Sequence, residues 1–232
     1  GYAPYRSVAE EAMADGSRVL LFAACQPGPN GRGISSPLPL AFVLLRNPVR
    51  ENAKETFAYF HAQGVTVKVI SGDNPVTVSA AAREAGIEGA DRYVDASTLE
   101  TYEDIEAACE EYNVFGRVKP NQKKLLIQAL QSNKHTVAMT GDGVNDVLAL
   151  KEADCSVAMA SGSDVAAQIS DLVLMNSDFS SMPSVVAEGR RVINNIERAA
   201  SLYLVINIFS LILAVISITA VFSYPLSPSQ LT

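Results

Sequence analysis

A short β-branched or apolar run followed by a hydroxyl residue, Gly and Asp occurs twice in this chain, each time before a helical pattern. Residues 65–70 lead into SGD at 71–73, and residues 137–139 lead into TGD at 140–142. Runs of this kind predict buried strands. Strands that alternate with helices predict a parallel, doubly wound α/β sheet. Open α/β sheets bind ligands at the carboxyl ends of their strands, so both Gly-Asp turns are candidate sites.

The same alternation extends over most of the charged part of the chain. Val114 and Phe115 begin a strand that leads through RVKP to a helix over residues 121–130. Gly86, a residue typical of helix C-termini, follows a predicted helix over residues 76–85. The remaining predictions are a helix over 1–15, strands over 18–25 and 38–45 joined by a Gly/Pro-rich loop, a helix over 48–64, a strand over 154–159, a helix over 164–169 and a strand over 171–175.

The distribution of charge sets the last part of the chain apart. All charged residues lie at or before Arg198, and residues 201–222 are almost entirely apolar. As a helix, this run would extend about 33 Å, which is enough to cross the hydrocarbon core of a membrane. A core helix of this length would carry a polar face, so a transmembrane helix is favoured. Arg190, Arg191 and Arg198 precede the run and no Lys or Arg follows it, which predicts a cell-membrane protein with residues 1–198 in the cytoplasm.

Composition argues against several classes of function. The net charge of −7 argues against a nucleic-acid partner, because no basic patch is present to neutralise phosphates. The three cysteines are widely spaced and none belongs to a CxxC pair. This spacing favours a reducing compartment and argues against a zinc site or a disulfide framework.

Polar residues that suit phosphoryl transfer follow the predicted strands. Phosphoryl transfer to a carboxylate needs a hydroxyl donor to a phosphoryl oxygen, a Lys to neutralise developing charge, and acidic residues to hold Mg²⁺. Each residue alone is a weak signal, since a Lys before a helix is usually solvated. The candidates, in chain order, are Ser71, Gly72, Lys123, Asp142, Asn145 and Asp146.

In this order, the segments resemble the haloacid-dehalogenase-like core of P-type (E1-E2) cation-transporting ATPases. SGDNPVT resembles the TGD segment of that family, and VFGRVKPNQK resembles its FARVxPxxK segment. MTGDGVNDVLALKEADCSVAM resembles its MTGDGVNDxxALKxADxGIAM hinge. The stretch from SDLVLMN to ERAASLYL resembles the approach to the fifth transmembrane helix. The resemblance covers nearly the whole chain.

The resemblance implies a role for each matched position. Asp142 is the expected Mg²⁺ ligand, and Ser71 and Lys123 are expected to contact the aspartyl phosphate. Asn145 and Asp146 are expected to support the phosphate pocket. Catalysis is therefore expected to depend on Ser71, Lys123, Asp142, Asn145 and Asp146, and phosphate binding on Ser71, Gly72, Lys123 and Asn145.

The resemblance also implies ATP and Mg²⁺ as cofactors. Asp73, at the nucleotide side of the domain junction, Arg18 and Arg50 are the expected nucleotide-binding residues. Three departures from the family pattern stand out. Asn47 begins NPVR where DPxR is common, Ser71 replaces Thr, and VL follows GDGVND in place of a small residue and Pro. The last departure suggests a less common bacterial branch.

The chain contains no DKTGT and no other Asp-x-[Asp/Thr] motif. The phosphate-accepting Asp is therefore expected upstream of Gly1, in a longer multi-pass pump of which this chain is a part. The expected partners are ATP, the transported cation, membrane lipid and the remaining domains. The expected divisions are the end of the nucleotide-binding domain and a hinge (1–40), the phosphorylation domain without its first motif (41–182), a stalk helix (183–200), the transmembrane helix (201–222) and an extracytoplasmic loop (223–232).

Three functions are compatible with the sequence. The favoured one is part of an ATP-driven cation pump that forms and hydrolyses an aspartyl phosphate. The alternatives are a membrane-anchored phosphatase of the same fold and a non-catalytic fragment. Calcium is the favoured ion, because bacterial relatives with a similar SGDNPVT segment include proposed calcium transporters. Asn207, the strongest oxygen donor in the apolar run, is either an ion ligand or a helix–helix hydrogen-bonding residue.

Overall fold

The structure is a computed structural model that describes residues 6–14, 17–27, 34–46 and 48–220. It divides into two compact units, Gly1–Ser181 and Met182–Thr232. Asn47 and the expected extracytoplasmic loop at 223–232 lie outside the described residues.

The chain begins with a helix and an antiparallel hairpin. Helix α1 (Arg6–Ala14) precedes strands β1 (Arg18–Pro27) and β2 (Ile34–Leu45). Arg18 pairs with Leu45 at the open end of this two-stranded sheet. Both strands are longer than predicted, because pairing continues into the Gly/Pro-rich segment that was expected to be entirely loop. Helix α2 (Ala53–Ala62) follows, within the predicted range.

The first parallel sheet has the order β3-β5-β4. Its strands are β3 (Val69–Ile70), β4 (Tyr93–Asp95) and β5 (Val114–Gly116), and helices α3 (Pro75–Glu84) and α4 (Tyr102–Glu111) lie between them in the chain. Strand β3 is shorter than the predicted 65–70. Among the described residues it pairs with β5 alone, so only the residues beside Val114 and Phe115 join the ladder.

The second parallel sheet has the order β6-β7-β8. Helix α5 (Pro120–Ser132) leads into β6 (Ala138–Gly141), and α6 (Val147–Glu152) leads into β7 (Cys155–Met159). Helix α7 (Asp164–Ile169) then leads into β8 (Leu172–Leu174). The alternation of parallel strands and helices confirms the predicted α/β class.

One hydrophobic core joins the two parallel sheets. Phe115 of the first sheet and Met139 and Ala158 of the second belong to the same buried cluster. Helix α5 contributes Leu126, Ile127, Ala129 and Leu130 to this cluster, and their i, i+3, i+4 spacing forms one buried face of the helix. The two sheets therefore share a core, although β3 and β6 are not hydrogen-bonded to each other among the described residues.

The second unit begins with helix α8 (Met182–Ala220). The predicted stalk at 183–200 and the start of the predicted transmembrane segment lie in this one continuous helix. Within the described residues, it is the one helix long and apolar enough to cross a membrane.

Candidate functional site

The turn after β6 folds tightly around the Asp146 side chain. The Gly143 amide donates to Asp146 Oδ2 at 3.2 Å, and the Asp146 amide donates back to the Gly143 carbonyl at 3.1 Å. A Cβ atom on Gly141 would lie 2.7 Å from the Asp146 Cβ. This distance is too short for any side chain, so the glycine is what lets Asp146 fold back under the turn.

Lys123 reaches this turn from the first helical turn of α5. Its Nζ donates to Asp146 Oδ1 at 2.6 Å, and the two side chains are only 13% and 11% exposed. Pro120 begins the helix, and the Gln122 side chain accepts the Lys119 amide at 3.1 Å. A cation at a helix N-terminus opposes the helix dipole, and Asp146 supplies the compensating negative charge here.

The Asp142 carboxylate differs from that of Asp146 in its surroundings. It is exposed, and within the described residues it makes no hydrogen bond or ion pair, whereas the Asp142 carbonyl accepts the Ser163 amide at 2.7 Å. No group of three or more His, Cys, Asp or Glu side chains among the described residues could enclose a metal ion. An open carboxylate fits Mg²⁺, which proteins usually hold through one or two carboxylates together with phosphates and water.

Ser71 and Gly72 lie at the carboxyl end of β3. The Ser71 hydroxyl accepts the Asp73 amide at 3.1 Å, and the Ser71 carbonyl accepts the Val118 amide at 3.0 Å. This second bond joins the SGD turn to the loop that precedes α5 and Lys123. Gly72 is exposed, as is Asn145. Within the described residues, no hydrogen bond joins Ser71, Gly72 or Asn145 to Lys123.

Arg117 forms hydrogen bonds beside the SGD turn, although no role was predicted for it from the sequence. Its backbone has a φ of +53°, and its amide donates to the Asp73 carbonyl at 2.8 Å. Its guanidinium donates to Asp95 Oδ2 at 2.6 Å. Burial raises the pKa of Asp95, but hydrogen bonds from Ser97 and Arg117 outweigh burial and hold that pKa below its ordinary value. The sequence signals were the place of Arg117 in the FARVxPxxK-like segment and its position between a strand and a helix.

The three expected nucleotide-binding residues fall into two places. Arg18 and Asp73 approach each other, with 3.8 Å between the guanidinium and the carboxylate. Arg50 instead lies 3.4 Å from the Asp178 carboxylate, and Asn52 also donates to Asp178 at 3.4 Å. The structure records no contact of Arg50 with Arg18 or Asp73. Both ion pairs have an exposed arginine and leave it accessible to an incoming anion.

Asn207 belongs to the second unit. It lies on α8 and its side chain is exposed.

Comparison with known proteins gives consistent results. The family model of haloacid dehalogenase-like hydrolases matches residues 27–154. The probable cation-transporting ATPase exp7 of Streptococcus pneumoniae is 47% identical, over 97% of this chain and 30% of that protein. The calcium-transporting ATPase CtpE of Mycobacterium bovis is 49% identical, over 90% of this chain and 26% of that protein.

A solved structure adds evidence on the fold. A zinc-transporting PIB-type ATPase in its E2·Pi state has a TM-score of 0.66 and 22% identity, over 94% of this chain and 30% of that chain. At this identity the likeness shows the fold alone. This chain spans under a third of the length of each of these three proteins. By its family match and its sequence relatives, the chain belongs to the haloacid dehalogenase-like hydrolases and, within them, to the P-type cation-transporting ATPases.

Proposed function

We propose that this chain is part of an ATP-driven cation pump that forms and hydrolyses an aspartyl phosphate. The observation that carries the proposal is the arrangement after β6. A largely buried lysine lies 2.6 Å from Asp146, and the Asp142 carboxylate in the same turn is open. A fixed cation next to an open carboxylate is what phosphoryl transfer to an acid requires.

Each residue has a distinct task in this proposal. Asp142 would hold Mg²⁺, which, when bound, offsets the negative charge of the phosphoryl group. Lys123 would turn its Nζ from Asp146 towards a phosphoryl oxygen, and the Ser71 hydroxyl would donate to another. Asp146 would hold the lysine side chain in place until the phosphoryl group arrives. Gly72 and Asn145 would complete the phosphate pocket.

The position of the phosphate acceptor follows from the open edges of the two sheets. Among the described residues, β3 pairs only with β5, and β6 pairs only with β7. We propose that a strand from outside this chain pairs with these edges and carries the acceptor Asp. Such a strand would bring the acceptor to the carboxyl ends of β3 and β6, where Ser71 and Asp142 lie.

The hairpin supports the proposed division of the chain. Leu21 and Phe22 are neighbours on β1 and so face opposite sides of the ribbon, yet both are exposed, at 40% and 61%. An isolated two-stranded sheet is marginally stable in water, so both faces call for a covering layer. We propose that residues 1–40 complete a nucleotide-binding domain, with Arg18 and Asp73 near the ATP phosphates. Arg50, which pairs with Asp178, would bind nucleotide only if that pair opens.

The remaining divisions are proposed on the same basis. Residues 41–182 would form the phosphorylation domain. Helix α8 would combine the stalk at 183–200 with the membrane-spanning segment from residue 201, with residues 1–198 on the cytoplasmic side of the cell membrane. Lipid would surround the span, and other helices of the same multi-pass pump would pack beside it.

We propose calcium as the transported cation. The support is the 49% identity to a protein named as a calcium-transporting ATPase. Asn207 is the position on α8 at which we expect an effect on transport, either as an ion ligand or through a hydrogen bond to a neighbouring helix.

The test uses the full-length protein and labelled ATP. We expect Mg²⁺-dependent formation of an acid-stable, hydroxylamine-sensitive phosphoenzyme that calcium stimulates. Asp142→Asn should abolish this labelling without unfolding the protein, because it removes the charged ligand of Mg²⁺. Phosphatase activity without labelling by ATP would favour a membrane-anchored phosphatase. Absence of both activities would favour a non-catalytic protein.

A further inference from the structure

The turn at residues 161–163, which follows β7, packs directly against the backbone of Asp142. A Cβ atom on Gly162 would lie 2.4 Å from the Asp142 carbonyl oxygen and 2.9 Å from its Cα and Cβ atoms. These are backbone atoms and the root of the side chain, so they cannot move aside as the end of a flexible side chain could. Only glycine allows this approach.

Hydrogen bonds hold this turn in place on both sides. The Gly162 amide donates to the Met159 carbonyl at 3.0 Å, which ties the turn to the end of β7. The Ser163 amide donates to the Asp142 carbonyl at 2.7 Å, and the Ser163 hydroxyl accepts the Val165 amide at 3.3 Å, which caps α7. The 161–163 turn therefore connects the end of β7, the start of α7 and the backbone of Asp142.

A second turn supports the first from the end of β8. The Ser177 hydroxyl accepts the Ser161 amide at 2.8 Å. Ser177 has a φ of +51°, and its own amide donates to the Leu174 carbonyl at 2.9 Å. A left-handed conformation is uncommon for serine, and here it accompanies a hydroxyl that reaches the 161–163 turn.

We propose that Gly162 is a positioning residue for the metal-binding carboxylate of Asp142, with Ser177 as its support. This inference rests on the proposed function, because it assigns the Mg²⁺ ligand to Asp142. Within the described residues no side chain orients that carboxylate. The position of its Cα–Cβ bond, from which the carboxylate extends, is therefore set by the backbone that Gly162 and the Ser163 amide hold. In this proposal, Gly162 and Ser177 act through the Asp142 backbone and not through contact with the phosphoryl group or the metal.

The size of the effect follows from the distances. Relief of a 2.4 Å contact to an ordinary van der Waals distance requires a relative shift of about 1 Å between the 161–163 turn and Asp142. Displacements of that size in a catalytic site cost about 10²-fold in rate. Loss of the groups that orient a metal ligand typically costs about 10- to 100-fold in metal affinity.

The experiment compares Gly162→Ala with wild type in the full-length protein. Binding of Mn²⁺ in the presence of beryllium fluoride, followed by electron paramagnetic resonance, reports on the metal site without turnover. Asp142→Asn defines the Mn²⁺ bound elsewhere. Gly189→Ala is the matched control, because a Cβ atom there meets no atom within 4 Å. We expect Mn²⁺ affinity at the Asp142 site to fall about 10- to 100-fold in Gly162→Ala.

The Mg²⁺ concentration for half-maximal phosphorylation should rise by the same factor in Gly162→Ala, with nucleotide affinity unchanged. Ser177→Ala should weaken Mn²⁺ binding in the same direction and by less. If Gly162→Ala does not fold, the Mn²⁺ affinity of Ser177→Ala is the test of this inference. Wild-type Mn²⁺ affinity in the folded variants would overturn this inference. Failure of the wild-type protein to form a phosphoenzyme would instead overturn the proposed function.

Discussion

At the scale of single residues, Lys123 and Lys124 are sequence neighbours with different surroundings. Lys123 Nζ lies 2.6 Å from Asp146 and its side chain is 13% exposed, whereas Lys124 is 41% exposed and lies 3.3 Å from Glu152. Lys123→Ala should lower phosphoenzyme formation by about 10²–10³-fold, as does the loss of an oxyanion-hole donor. Lys124→Ala should change it little, because solvent screens its ion pair. Labelling of the full-length variants with ATP measures both.

Lys123→Ala also leaves the Asp146 charge largely buried and unpaired, which destabilises a fold for reasons unrelated to catalysis. The double variant Lys123→Ala/Asp146→Asn separates the two effects. It should recover thermal stability and still fail to form the phosphoenzyme. Equal, modest losses of labelling in Lys123→Ala and Lys124→Ala would mean that both lysines are ordinary surface residues.

Individual residues also show which features of the candidate site can be predicted from the sequence. The segments that contain positions 123, 142 and 146 resemble family motifs, and that resemblance predicted a phosphate and Mg²⁺ site. The Lys123–Asp146 contact was not predictable, because it joins residues far apart in the chain through the packing of α5. Gly162 gave only the signal of a glycine between two serines after a predicted strand. Its importance comes from one close approach to Asp142, which no sequence pattern encodes.

At the scale of secondary-structure elements, the end of the second sheet contains a pH-dependent contact. Hydrogen bonds from the backbone amide and the hydroxyl of Ser156, at 2.8 and 2.9 Å, lower the pKa of the Asp171 carboxyl. Because this pKa is lower in the folded protein, ionised Asp171 stabilises the fold above its unfolded pKa of about 3.9. This contribution is lost as the pH falls through the folded pKa.

We therefore expect β7 and β8 to lose protection against hydrogen–deuterium exchange below about pH 4, after correction for the intrinsic exchange rate. Ser156→Ala removes the hydroxyl donor and keeps the backbone donor. The pKa of Asp171 should then rise towards its unfolded value, so the acid-dependent loss should be smaller and should be complete at a higher pH. An identical pH profile in Ser156→Ala would contradict this role of the contact.

Prediction of elements succeeded where the local pattern matched the final pairing. Helix α7 was predicted with the bounds that the structure gives, Asp164–Ile169. Strand β4 and helix α4 were missed, because a three-residue strand in a charged segment has no periodicity to detect. The start of α4 did carry a signal, since the Thr101 and Asp104 side chains form a reciprocal capping box. Strand β3 was predicted too long, because its length depends on neighbouring strands that a local pattern does not include.

At the scale of the whole molecule, two parallel sheets share one core, and among the described residues their edges at β3 and β6 are unpaired. The hairpin at the start of the chain exposes apolar residues on both faces. These features are separate in sequence, and both point to covering segments from elsewhere in a longer protein. In the proposed pump, this chain would hold the site residues in place, and another segment would supply the atom that accepts the phosphate.

This proposal predicts how the chain should behave when it is expressed without the rest of the protein. Residues 1–232 expressed alone should incorporate no phosphate from labelled ATP, because no Asp-x-[Asp/Thr] motif is present to accept it. The full-length protein, labelled in parallel, is the positive control, and circular dichroism shows whether the shorter chain is folded. In a folded chain, Lys123 should remain paired with Asp146, since no phosphoryl group competes for it. Acid-stable, hydroxylamine-sensitive labelling of residues 1–232 would reveal an acceptor carboxylate within this chain and overturn the assignment of the acceptor to another segment.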